Sequence, residues 1–146
     1  MALSNRDGHA YGDSQTDIVA YLREYAADNG KPLAHTVDCR CRCSRAVFVL
    51  GIDDNEGAAI RACEPCDLEV PIGDSAEYLE EAEIEQCECL CGGSTFEVTV
   101  GVSLYDGSED VRWVYIGCRC TDCGLVGCYG DWKVEYPGYR EFLARA

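Results

Sequence analysis

The chain has 146 residues, with 27 Asp and Glu against 12 Lys and Arg, a formal net charge of −15 and 12 cysteines. That length holds one ordinary domain or two small ones. A module of about 60 residues buries only roughly 60% of its unfolded surface, so metals or disulfides commonly supplement such a core. The acidity excludes nucleic acid and anionic lipid as natural partners, because phosphates are repelled at long range, and it favours a basic protein partner instead.

The opening Met1-Ala-Leu-Ser-Asn-Arg-Asp7 lacks the basic and apolar segments of a secretion leader, and no stretch is long and apolar enough to cross a bilayer. The expectation is a cytoplasmic protein without membrane contact. In a reducing compartment, closely spaced cysteines are metal ligands more often than a disulfide framework. Residues 1–13 carry no periodic pattern and are expected to be flexible. Within 14–35, Ser14 offers an N-cap and Asp17 a carboxylate three residues later; Ile18, Leu22, Tyr25 and Ala26 then share a face until Asn29-Gly30 and Pro32. This segment predicts an amphipathic N-terminal helix.

The cysteines then fall into a repeating order. Cys39-x-Cys41-x-Cys43 and Cys63-x-x-Cys66 are followed by Cys87-x-Cys89-x-Cys91 and Cys118-x-Cys120-x-x-Cys123, with Cys128 beyond. Phe48 and Phe96 each stand five residues after the last cysteine of their triplet, both in β-prone runs. Leu68 and Leu125 each stand two residues past the second pair, while Gly73-Asp74 and Gly130-Asp131 fall at matching offsets further on. So many shared offsets predict a duplication, with one repeat over 36–74 and the other over 87–136. Asp53 to Gly57 and Tyr105 to Asp110 read as hairpin turns, and Val111 to Ile116 as the return strand of the second hairpin. The glutamate-rich stretch between the copies, 75–86, predicts a short acidic linker helix with Ser75 as N-cap, and 137–146 a terminal turn or short helix.

Paired cysteines on two tight turns at the ends of a β-hairpin supply four convergent ligands without a large core. The candidate sets are Cys41, Cys43, Cys63 and Cys66 for one ion, and Cys89, Cys91, Cys120 and Cys123 for another. Cys39 and Cys87 occupy equivalent positions and are the alternatives to Cys41 and Cys89. The layout resembles the zinc-ribbon fold group over about 38–70 and 86–128, with C-x-C at the first knuckle in place of C-x-x-C. That resemblance implies a small metal-organised α+β fold, mostly β. It comprises two tandem zinc-ribbon-like hairpin modules holding two structural Zn2+ ions.

Complete cysteine sets leave no open coordination position, and no histidine or carboxylate joins them in sequence, so the expected role is not enzymatic. His9 and His35 lie outside both repeats. Ionising eight thiols while binding two divalent ions moves the formal charge from −15 to −19, since eight negative charges are added and four positive ones returned. The expected function is therefore a zinc-stabilised protein-interaction module with an acidic surface, one form of which is an immunity or inhibitor protein against a cationic toxin. The alternatives are a transcription-associated zinc-ribbon accessory that binds another protein, and a thiol-based metal or redox protein. Trp113, Tyr115, Tyr129 and Trp132 are candidate interface anchors.

Overall fold

A computed structural model describes residues 3–146. The fold is mostly β, and its two cysteine clusters sit at the ends of two hairpins. In the first copy the hairpin is β4 (Val47–Asp53) and β5 (Ala58–Cys63), followed by β6 (Leu68–Pro71). In the second it is β8 (Phe96–Leu104) and β9 (Val111–Cys120), followed by β10 (Leu125–Tyr136). Alternation explains the strands: in β4 the side chains of Phe48, Leu50 and Ile52 enter the core while Val47, Val49 and Gly51 stay half-exposed.

The copies meet through backbone pairing. β4 and β8 run antiparallel with Phe48 opposite Phe96, the two residues that the repeat makes equivalent. Each copy also lends the other a strand. β3 (His35–Asp38), which precedes the first knuckle, pairs with β8, and β7 (Glu85–Gln86), which precedes the second, pairs with β4. The exchange extends into the knuckles: the Cys39 amide donates to the Val98 carbonyl at 2.9 Å, and the Cys87 amide to the Leu50 carbonyl at 2.7 Å. These contacts relate the copies by a local two-fold. Among the described residues, one sheet carries the path β6-β5-β4-β8-β9-β10 and continues through a small hairpin onto the far edge.

Of residues 1–13, expected to be flexible, the first two lie outside the described residues and most of the rest forms that hairpin. β1 (Ser4–Arg6) pairs with β2 (His9–Tyr11), and β2 pairs with β10 at Tyr11–Leu125 and Ala10–Val126. The Gly12 amide also reaches Gly124 at 2.9 Å, while Arg119 donates to the Gly12 carbonyl at 2.7 Å. Pairing to the open edge of β10 orders the segment without an apolar pattern.

α1 spans Gln15–Asp28, shorter than the 14–35 segment, whose end becomes β3. At its start the Asp17 carboxylate accepts from the amides of Asp13 at 2.7 Å and Ser14 at 3.3 Å. Ile18, Leu22 and Ala26 are buried with Tyr115 and Val126. Glycine in the sheet permits the close approach, since a Cβ on Gly117 would stand 2.5 Å from an Ile18 methyl.

The acidic linker helix is also corrected. Ser75–Glu77 forms one 3-10 turn, and the chain then proceeds through turns to β7. Local charge opposes an α-helix here, because Glu77, Glu81 and Glu85 would repel at four-residue spacing. Copy one supplies competing partners. The Ser75 hydroxyl accepts from the Ala59 amide at 2.9 Å, and the Asp53 carboxylate from the Glu83 amide at 2.8 Å. Beyond β10, α2 (Tyr139–Ala144) folds back and buries Phe142, whose ring approaches Gly73.

The two first knuckles share an unusual backbone conformation. Ser44 at φ 75° and Gly92 at φ 90° occupy equivalent knuckle positions, and the Ser44 and Gly92 amides return to the Cys41 and Cys89 carbonyls at 2.8 and 2.9 Å. A non-glycine residue there costs roughly 1–2 kcal/mol. Ser44→Gly should therefore raise the melting temperature of the metal-loaded protein, and Gly92→Ser should lower it, in thermal denaturation followed by circular dichroism.

Candidate metal centres

Each centre is assembled from the knuckle before a hairpin and the knuckle after it. In copy one, Cys41 and Cys43 precede β4, Cys63 ends β5 and Cys66 lies on the turn into β6. In copy two, Cys89 and Cys91 precede β8, Cys120 ends β9 and Cys123 lies on the turn into β10. Because antiparallel pairing returns β5 beside the start of β4, and β9 beside the start of β8, both pairs arrive at one end of each hairpin.

The sulfur atoms of Cys41, Cys43, Cys63 and Cys66 all lie within 4.8 Å of one another, as do those of Cys89, Cys91, Cys120 and Cys123. Individual separations are 3.7 Å for Cys41–Cys66 and Cys43–Cys63, 3.6 Å for Cys89–Cys123 and 3.7 Å for Cys91–Cys120. Those lengths exclude disulfides. They approach the edge of about 3.8 Å that a tetrahedron has when metal–sulfur bonds are about 2.3 Å. Two four-cysteine groups could thus hold two metal ions.

The surroundings favour thiolate at selected sulfurs. The Arg45 backbone amide lowers the Cys43 thiol to about 7, with smaller help from neighbouring cysteines. The Gly93 amide, 3.4 Å from Cys91 Sγ, lowers Cys91 in the same way. The partners move oppositely: Cys66 rises to about 12 chiefly because of Cys43 and Cys41, and Cys89 to about 12 chiefly through burial. Four thiols this close resist ionising together, and a central cation relieves that repulsion. Gly93 is tightly constrained, since a Cβ there would stand 2.6 Å from Asp122 Oδ2 and 3.1 Å from Cys120 Sγ.

The remaining cysteines stand outside both groups. Cys39 and Cys118 are buried in the main core, and Cys87 and Cys128 are half-buried. Burial pushes Cys39 up to about 12, Cys87 to about 11 and Cys128 to about 12, and it carries Cys118 well above the usual thiol range. Neither histidine joins a group; His35 instead stacks on Tyr139 at 3.8 Å.

The matching Gly-Asp pairs part company in the structure. Asp131 lies inside β10 and accepts from Tyr25 at 3.0 Å and Trp113 Nε1 at 2.9 Å, which fastens α1 to the sheet. Asp74 instead precedes the 3-10 turn and is buried, and its side chain caps nothing. Of the aromatic anchor candidates, Tyr115 is fully buried and Tyr129 packs edge-on against Phe96, while Trp113 and Trp132 stay half-buried.

No protein-family model, curated protein or solved structure matches this chain. The geometry of the sulfurs therefore carries the argument.

Two measurements check it. Cys41→Ser or Cys89→Ser should reduce bound metal from two ions per chain to one, whereas Cys39→Ser and Cys87→Ser should retain two, read by native mass spectrometry. A raised thiol pKa keeps the neutral, unreactive form at all pH values well below it. In the metal-loaded protein at about pH 8, iodoacetamide should therefore leave Cys39, Cys87, Cys118 and Cys128 unmodified in a peptide map.

Proposed function

We propose that the two centres hold structural zinc and that the protein is a non-enzymatic interaction module whose acidic surface meets a basic protein. The observation that carries the metal assignment is the pair of all-cysteine sets with tetrahedral edge lengths. Thiolate ligands and four-coordination suit Zn2+, and four protein sulfurs fill its coordination sphere. A closed site of this kind organises a fold. The bound ion would fasten the knuckle before each hairpin to the knuckle after it, which no disulfide does here.

The acidic surface supports the rest of the reading. Asp53, Asp54, Glu56, Glu81, Glu83 and Glu85 line one open groove of about 280 Å³ without a basic side chain. It is formed where the β4–β5 turn faces the chain leading into β7. The Glu83 amide bound to Asp53 holds the two walls together and, with the Asn55 and Glu56 amides, keeps the Asp53 carboxyl below its ordinary range. Such a surface accelerates encounter with a cationic protein and makes that encounter sensitive to salt. An immunity or inhibitor protein covering a cationic toxin is the specific form proposed. The zinc ions serve that role by keeping the hairpins rigid, so that less ordering entropy is lost on binding.

The test is affinity capture of the tagged protein at low salt from its own host, followed by native mass spectrometry. The expected result is two zinc ions and a basic protein whose association rate falls with added salt and with charge reversal at Glu80 and Glu81. A salt-independent association rate, unchanged by those reversals, overturns the electrostatic part. Chelation should also abolish most of the folded circular-dichroism signal, because zinc sites in small peptides are worth about 10–16 kcal/mol at neutral pH. A near-native spectrum without metal would contradict the structural assignment.

A further inference from the structure

A second recess adjoins the acidic groove at Glu56. It has a volume of about 290 Å³ and lies where the β4–β5 turn, the 3-10 turn and β10 converge. Its walls include two aromatic side chains, Trp132 from β10 and Tyr78 from the end of the 3-10 turn, and three carboxylates, Glu56, Asp74 and Glu135.

Asp74 is the unusual member. It is only 6% exposed, and among the described residues its carboxylate caps no turn and pairs with no basic side chain. Burial raises its pKa, nearby Glu77 raises it further, and its own backbone amide offsets part of the effect. A carboxylate on so buried a residue, with no cation paired to it among the described residues, is costly to keep charged unless a ligand provides one. The Tyr78 hydroxyl feels the same field, and its pKa is raised first by Asp74. Lys133, also on the rim, is occupied with Glu135 at 3.3 Å, both groups being largely exposed. That exposed pair is worth little and yields readily to a better-placed cation.

The two tryptophans differ in the same respect. Trp113 already carries an internal cation, with Lys31 Nζ 4.3 Å from its ring. Trp132 has no cation over it among the described residues. Its ring lies against the Gly57 turn, where a Cβ would approach Trp132 Cδ1 to 2.9 Å, so the glycine holds room for the indole beside the recess.

We propose that this recess receives the guanidinium of an arginine side chain from a polypeptide partner, stacked on Trp132 or Tyr78 and charge-paired with Asp74. A planar cation satisfies both features, because it stacks on an aromatic face and forks onto a carboxylate, which an ammonium does less well. The inference rests on the proposed basic partner for the carrier of the arginine. It adds the anchoring residue type and the place where it docks.

The experiment titrates the zinc-loaded protein with hexa-arginine, hexa-lysine and hexa-citrulline peptides, using calorimetry for affinity and the indole N–H resonances for location. The expected result is binding of the arginine peptide about three- to tenfold tighter than the lysine peptide, with no binding of the uncharged citrulline isostere. The Trp132 indole resonance should shift while that of Trp113 stays in place. Tyr78→Ala and Asp74→Asn should each weaken the arginine peptide about fivefold or more and narrow its advantage over lysine. Glu81→Gln, in the groove outside the recess, should weaken both peptides equally. In each variant without peptide, an unchanged Trp113 indole resonance and two bound zinc ions verify the fold. Equal binding of the two cationic peptides, insensitive to Tyr78→Ala and Asp74→Asn, would overturn the recess while leaving the basic-partner reading in place. Absence of binding by any peptide would also overturn the recess, and the basic-partner reading would then be decided separately by low-salt capture.

Discussion

Everything else in the structure hangs on the reciprocal strand exchange between the two copies. The Cys39 amide reaches the Val98 carbonyl, the Cys87 amide reaches the Leu50 carbonyl, and Phe48 faces Phe96 between them. Each knuckle is therefore positioned partly by the opposite copy. Losing either bond within the assembled sheet would leave an amide unpaired at a cost of about 1–3 kcal/mol, so the exchange couples each knuckle to the opposite copy. Two cysteine motifs that read as independent modules thus share one sheet and one core.

The cysteines divide into two chemical populations by position along that sheet. Those at hairpin ends stand where backbone amides can face sulfur, and Cys43 and Cys91 are pushed toward thiolate. Cys39 and Cys118 lie in the core away from both groups, and burial favours their neutral thiols. The same residue type supplies candidate metal ligands where four sulfurs converge and packing volume elsewhere; convergence rather than burial divides them, since Cys41, Cys63, Cys89 and Cys120 are buried too.

The surface features come from the junction of the copies as well. The acidic groove joins the β4–β5 turn of the first copy to the connecting segment, and the aromatic recess joins that same turn to β10 of the second. The candidate metal centres sit at the hairpin bases and the acidic groove at the opposite turn of the first hairpin, so the two lie at separate ends of one element. Under the proposed binding role, that separation would let the metal ions rigidify the hairpin without taking up the contact surface.

Cysteine spacing, the hairpin turns and the helical stripe of α1 were legible in the chain, because each reflects closure over a few residues and is written in side-chain type. The spacing grouped the same eight cysteines whose sulfurs the fold brings together. The β1–β2 hairpin, the exchanged strands β3 and β7 and the unwound acidic connection were not legible. Their partners are backbone groups or residues distant in sequence, as when Glu83 binds Asp53 and Ala59 binds Ser75. The paired Gly73-Asp74 and Gly130-Asp131 show the limit most clearly. Sequence determined that they are equivalent in offset, but only tertiary structure decided that Asp131 ties a helix to a strand while Asp74 lies buried without a cation among the described residues, because a carboxylate's role depends on the donors and solvent that the folded chain brings to it.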